Sequence, residues 1–149
     1  MRQARQVRQI LDFGFWITGE IDGRRLSTSL RMDEQEFKGR TKRLALQVIK
    51  MVDTLPKRQP AQVLGHQLLR AATSVGANYR AACRGKSAAD VIAKLGVVEE
   101  EADESVYWME LLVESGLTPA DRLTDLVSEA NEIVAMTVAS IKTLRGRRR

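Results

Sequence analysis

Cysteine, histidine, proline and aromatic residues are all scarce in this chain, and each scarcity narrows what it can do. The single cysteine, Cys83, excludes an internal disulfide and any multi-thiolate metal cluster within one chain, and it suits a reducing cytoplasm. The single histidine, His66, leaves no Glu-x-x-His pair of the kind that builds carboxylate-bridged metal bundles. Nor does it leave a plausible Ser/His/Asp set, and there is no Gly-x-Ser-x-Gly elbow. Neither a metal nor another cofactor is expected, and no enzymatic activity. The three prolines (Pro56, Pro60, Pro119) spare every long periodic segment. Aromatics make up 5% against 44% hydrophobic residues, so the core must be aliphatic and alanine-rich, which favours closely packed helices over a β-sandwich. No stretch approaches the ~18 apolar residues of a membrane span. The basic start (Arg2, Arg5, Arg8) is followed by an apolar run that Asp12 breaks, with no small-residue cleavage site close behind, so a signal peptide is not expected.

What the chain does have is helical periodicity. A length of 149 residues fits one domain with a real core. Phe37, Thr41, Leu44, Val48, Met51 and Leu55 recur at alternating spacings of four and three, one face of a helix, and Pro56 and Pro60 bracket its end. A second helix, from about Ala61 to Arg84, carries Leu64, Leu68, Ala71, Val75, Tyr79 and Ala82, and Gly85 is a plausible left-handed stop. Ser87 and Asp90 have capping-box spacing before a third stripe of Val91, Leu95, Val98, Ala102, Ser105, Met109 and Leu112, which Gly116 ends. Thr118-Pro119 reads as the N-cap and first position of a fourth helix, whose buried side is Leu123, Leu126, Ala130, Ile133, Thr137, Ile141 and Leu144. Short connections predict an all-α, antiparallel up-down-up-down four-helix bundle over residues 36–145. Residues 1–35 are read as a poorly packed N-terminal extension, with Asp22-Gly23 as a possible hairpin turn. Residues 146–149 are a basic tail. Met32, just before the periodic region, is a possible functional start of translation.

Charge is polarised along the chain. From Lys38 to Lys86 eleven Lys/Arg face one acidic residue, Asp53; from Ser87 to Ile141 two basic residues face twelve Asp/Glu. The last eight residues then add five positive charges.

The segment Arg70-x-x-x-Ser74-x-Gly76-x-Asn78 and the run Val98-Glu99-Glu100-Glu101-Ala102-Asp103-Glu104 resemble the bacterial four-helix-bundle proteins known as 23S rRNA intervening-sequence proteins, over roughly Glu36 to Leu144. The resemblance implies a small helical protein that assembles as a ring-like pentamer, without enzymatic activity. Some relatives are encoded inside insertions in ribosomal RNA genes. Others resemble the accessory variability determinant of diversity-generating retroelements, which pairs with a reverse transcriptase and nucleic acid. Residues 1–31 and the arginine tail have no counterpart in that resemblance.

Helical projection then proposes sites. Arg70, Arg80 and Arg84 lie on the second helix away from its core stripe, with Lys86 just beyond and Lys42, Arg43, Lys57 and Arg58 adding positive charge at one end of the first hairpin. With Arg147, Arg148 and Arg149 these are the candidate nucleic-acid contacts, since such cations attract phosphate backbones by counterion release. The alternative is a solvated arginine edge and a frayed terminus complementing the helix dipole. On the third helix Val97, Glu101, Glu104, Trp108 and Leu111 form a flanking strip read as an intersubunit surface, or as burial beneath the N-terminal extension. The opposite charges of the two halves could close a ring head to tail, or could neutralise one another within a subunit. Gly85-Lys86-Ser87 is no phosphate loop, because the position that needs the first glycine holds Arg80 and a helix precedes it. Cys83 is read as a small buried thiol and His66 as a surface or capping residue. The leading expectation is a cytoplasmic, homo-oligomeric adaptor that binds RNA or a nucleic-acid-handling enzyme. The alternative is a protein–protein assembly module without nucleic acid. No membrane association is expected.

Overall fold

The computed structural model describes residues 13–21, 24–32 and 34–146, with side chains described for 34–146. A two-stranded antiparallel hairpin, β1 (Phe13–Ile21) and β2 (Arg24–Met32), precedes helices α1 (Glu34–Asp53), α2 (Gln59–Ala82) and α3 (Ala88–Glu114). A short 3-10 turn (Ala120–Arg122) then leads into α4 (Thr124–Gly146). The helices form the four-helix bundle that the periodicity predicts: α2 packs between α1 and α3, α3 packs on α4, and the α1–α4 seam is the thinnest.

The strands pair in register from Phe13 opposite Met32 to Ile21 opposite Arg24. The Asp22-Gly23 turn expected between them lies outside the described residues. The hairpin meets the bundle mainly along α4, a thinner contact than the seams between neighbouring helices.

Core positions follow the stripes closely. Every stripe residue of α3 and α4 is buried, and so is Leu123 just ahead of α4. Only Leu55 and Leu64, near the α1–α2 connection, are half-buried instead. Burying a side chain such as Leu44, Leu68 or Leu95 stabilises the fold by roughly 1.5–3 kcal/mol. Ala61, Ala71, Ala72 and Ala82 are wholly buried on α2, so its neighbours approach close to its backbone. The Phe37 and Tyr79 rings meet at 4.3 Å between centroids and tie α1 to the last turns of α2. Buried hydroxyls are satisfied locally: Thr41, Ser105 and Thr137 donate to carbonyls one turn back at 3.1, 2.8 and 2.7 Å. No buried side-chain polar atom among the described residues is left without a partner.

The helix ends correct the sequence reading in three places. Gly116 does end α3 in the left-handed region, at φ 70°, with Leu117 N donating to Leu112 O at 3.0 Å and Gly116 N to Val113 O at 2.9 Å, a Schellman closure. Gly85 ends nothing by that route, since its φ is not positive. It is glycine because a Cβ there would lie 2.4 Å from Val91 Cγ2 and 3.1 Å from Ala82 O; the α2–α3 turn folds back too tightly for a side chain. Pro119 is not the first residue of α4 but flanks the 3-10 turn, and α4 proper begins at Thr124. The capping box holds in altered form. Ser87 Oγ accepts from Asp90 N at 3.1 Å, while Asp90 Oδ2 accepts from Lys86 N at 2.9 Å, one residue earlier than the usual partner.

Replacing Gly85 with alanine should therefore destabilise the bundle by about 1–3 kcal/mol, the usual cost of overpacking. Gly116→Ala should also destabilise, but through backbone strain. Urea unfolding monitored by circular dichroism checks both, and an unchanged midpoint for the Gly85 variant would mean that the turn is looser than described.

Candidate functional site

Among the described residues, the predicted cations do not gather on one face. Lys57 and Arg58 lie in the α1–α2 connection, at one end of the bundle, and are exposed. Lys42 and Arg43, expected at that same end, instead sit on the outer face of α1 at least 15 Å or so from it at 1.5 Å per residue. Gly76 packing on Thr41 shows that this part of α1 lies level with the later turns of α2. Arg80, Arg84 and Lys86 are exposed around the end of α2, about 33 Å from Arg58 along the helix. The up-down topology brings the last turn of α4 to that end too, adding exposed Lys142 and Arg145. None of these five takes part in an ion pair among the described residues. Arg147, Arg148 and Arg149 lie outside the described residues.

Arg70 is different: it is held. Its guanidinium reaches across to α3, where Nη1 bonds Glu101 at 3.2 Å and Nη2 bonds Glu104. Glu104 in turn accepts from Trp108 Nε1 at 2.9 Å, and the Trp108 ring lies 4.9 Å from that of Tyr107. The arginine proposed for nucleic acid and the two glutamates proposed for a subunit interface are thus one network within the chain. Arg70 and Trp108 together draw the Glu104 carboxyl below the usual glutamate range, the arginine contributing most. Trp108 and Leu111 are half-buried, with Trp108 packed against the core, while Val97 at the other end of the strip is exposed. Tyr107, on the outward side, is 51% exposed.

A second neutralising contact escaped the sequence reading. Arg40 on α1 forks onto Glu129 of α4, Nε to Oε1 at 2.5 Å and Nη2 to Oε2 at 2.9 Å, and also bonds Glu132. Its Nη1 lies 3.5 Å from Met136 Sδ. The hydrogen bond to Glu129 is the main reason its proton is held more tightly than usual. The available signal was positional. Arg40, Glu129 and Glu132 each stand beside a buried stripe residue (Thr41, Ala130, Ile133), where charged residues bridge neighbouring helices.

A groove of about 710 Å³ opens between the end of α1 and the start of α2. Ile49, Val52, Leu55 and Leu69 line it, with Lys50, Lys57 and His66 among its polar groups. Cys83 is half-buried, and its thiol is pushed up to about 11, chiefly by burial and then by the nearby Glu34 carboxylate, so it stays protonated. Among the described residues, no group of three or more His, Cys, Asp or Glu is placed to hold a metal ion, and no helix is long and apolar enough to cross a membrane.

The lowered Glu104 carboxyl sets a sign for pH dependence. A depressed value in the fold means that the Arg70–Glu104–Trp108 contact is complete above the unfolded glutamate value and is lost as pH falls through the folded one. In a Trp16→Phe background, Trp108 emission should report that loss with a midpoint below that of an unperturbed glutamate, and Glu104→Gln should abolish the step. A midpoint at or above the ordinary value would remove the ion pair from the solution structure.

Comparison with known proteins agrees with this architecture. No curated protein matches the chain. A crystal structure from Bacteroides thetaiotaomicron, of a protein with unknown function from the S23 ribosomal protein family, superposes with a TM-score of 0.66 at 31% sequence identity. The match covers 70% of this chain and 97% of that one. The family model for the 23S rRNA-intervening sequence protein matches residues 33–139, which is the bundle without its hairpin and without the last turns of α4. With that span matched, and with Arg70 of one fingerprint bonded to Glu101 and Glu104 of the other, this chain belongs to the 23S rRNA-intervening sequence protein family.

Proposed function

We propose that this protein is a non-enzymatic, homo-oligomeric adaptor of the cytoplasm that holds nucleic acid, RNA first, at the end of the bundle where α2 and α4 finish. The observation that carries this reading is the group of five exposed cations there, Arg80, Arg84, Lys86, Lys142 and Arg145, none of them in an ion pair among the described residues. The tail Arg147–Arg149 continues the same chain end. Arg70, already held by two carboxylates, leaves the set of contacts. The family's name, 23S rRNA-intervening sequence protein, points in the same direction. Binding of this kind follows the phosphate backbone, because among the residues with described side chains no exposed aromatic for base stacking stands beside these cations in α2 or α4. A ring, five-membered by resemblance, would repeat the basic end in each subunit and convert weak contacts into avidity. A reverse transcriptase or another nucleic-acid-handling enzyme is the protein partner this reading allows.

Salt dependence tests the nucleic-acid half. Each lost contact to a single strand should flatten the slope of log affinity against log salt by about 0.7, so deleting Arg147–Arg149 should reduce it by roughly 2. Arg80→Ala with Arg84→Ala should reduce it by about 1.4, whereas Arg70→Gln should leave it alone. Equal slopes in all variants would leave an assembly module without nucleic acid. The oligomer is tested at Val97, which is exposed on the proposed strip. Val97→Glu should lower the mass seen by light scattering while helicity is kept, and an unaltered mass would move the interface elsewhere.

A further inference from the structure

Apolar and cationic side chains share the outer side of the α1–α2 hairpin. Leu46 and Ile49, three residues apart on α1, are 48% and 46% exposed. Past Ile49 the surface descends into the 710 Å³ groove, floored by Val52, Leu55 and Leu69. Cations stand around this apolar track. Lys42 and Arg43 lie one turn before Leu46, Lys50 follows Ile49, and Lys57 lies in the connection. None of the four is in an ion pair among the described residues, and Asp53 is the one acidic residue that lines the groove. The start of α2 adds to the positive field, for its first turn contains no acidic residue and its N-cap, Arg58, makes no side-chain capping bond.

We propose that this track and groove dock an acidic amphipathic helix of a partner protein. The partner's apolar ridge would cover Leu46 and Ile49 and enter the groove, and its carboxylates would face Lys42, Arg43, Lys50 and Lys57. A helix matches because apolar residues at spacings of three and four on the partner complement the same spacing on α1. Nucleic acid fits this side less well. Phosphates would neutralise the lysines but leave Leu46 and Ile49 in water, and no described aromatic is exposed on α1 or α2 to stack on bases. The docking track is also distinct from the cationic end assigned to nucleic acid, so the two contacts are separable.

The test is fluorescence anisotropy with the full chain and a fluorescein-labelled 16-residue peptide of leucines at helical i, i+4 spacing and glutamates elsewhere. A scrambled peptide of the same composition is the control. The amphipathic peptide should bind, and Ile49→Asp and Lys50→Glu should each weaken it by about tenfold, the loss of one good interface contact. Both positions are exposed, so both variants should fold, which circular dichroism checks. Arg80→Ala with Arg84→Ala should bind the peptide as the parent does. Absence of binding, or equal binding of the scrambled peptide, overturns the proposal. So does an RNA affinity that falls with Ile49→Asp, which would assign the track to nucleic acid. A lowered mass in light scattering for Ile49→Asp also overturns it, by assigning the track to a second copy of the chain.

Discussion

The antiparallel pair α2 and α3 is the contact on which the rest of the molecule depends. At one end the chain turns so tightly that Gly85 meets Val91 with no room for a methyl group. In the middle Arg70 spans from α2 to Glu101 and Glu104, and the alanines of α2 keep the two backbones near. An exposed ion pair holds little free energy by itself, so the apolar seam supplies the stability and the guanidinium sets the register. The other two helices are laid on this pair. α1 rests on α2 through Thr41 at Gly76 and through the Phe37–Tyr79 rings, and α4 packs on α3. The residues that carry the family resemblance take part in packing within α2 and against both of its neighbours. Asn78 Nδ2 bonds Ser74 O at 2.9 Å, Gly76 admits Thr41, and Arg70 holds the acidic run. Only Arg70 among them spans the α2–α3 pair itself.

Charge is the property that this arrangement redistributes. The chain enters the fold with a basic half and an acidic half, and two bridges, Arg70 to α3 and Arg40 to α4, bring part of each together inside one subunit. What is left over is what can meet other molecules. It divides into a cationic bundle end, a cationic and apolar track along α1, and an outward face of α3 where Tyr107 stands among carboxylates.

The fold was legible in the sequence because helical burial is periodic, and a single strand of text displays a period. The stripe from Val91 to Leu112 needed no partner to be read, and every member of it is buried. The reasons for single residues were less legible. Gly85 stands at a helix end for want of space and not for its backbone angle, and only the position of Val91 reveals that. Pro119 has the form of a helix start, yet the chain makes a 3-10 turn first because Leu117 and Leu123 must both be buried on either side of it. Charge pairing was the least legible, since a projection of one helix shows which way Arg70 or Arg40 points but not which carboxylates stand opposite. The hairpin before the bundle left its trace only in Asp22-Gly23 and the short apolar runs beside it.

Cys83 has a practical consequence. It is the chain's one thiol, half-covered between α2 and the first turn of α1 and protonated at neutral pH, so alkylating reagents and mild oxidants find little thiolate to attack. The raised thiol should therefore react with maleimide more slowly than an open surface cysteine. A cysteine introduced on an open surface should then take a spin label or dye ahead of the native residue.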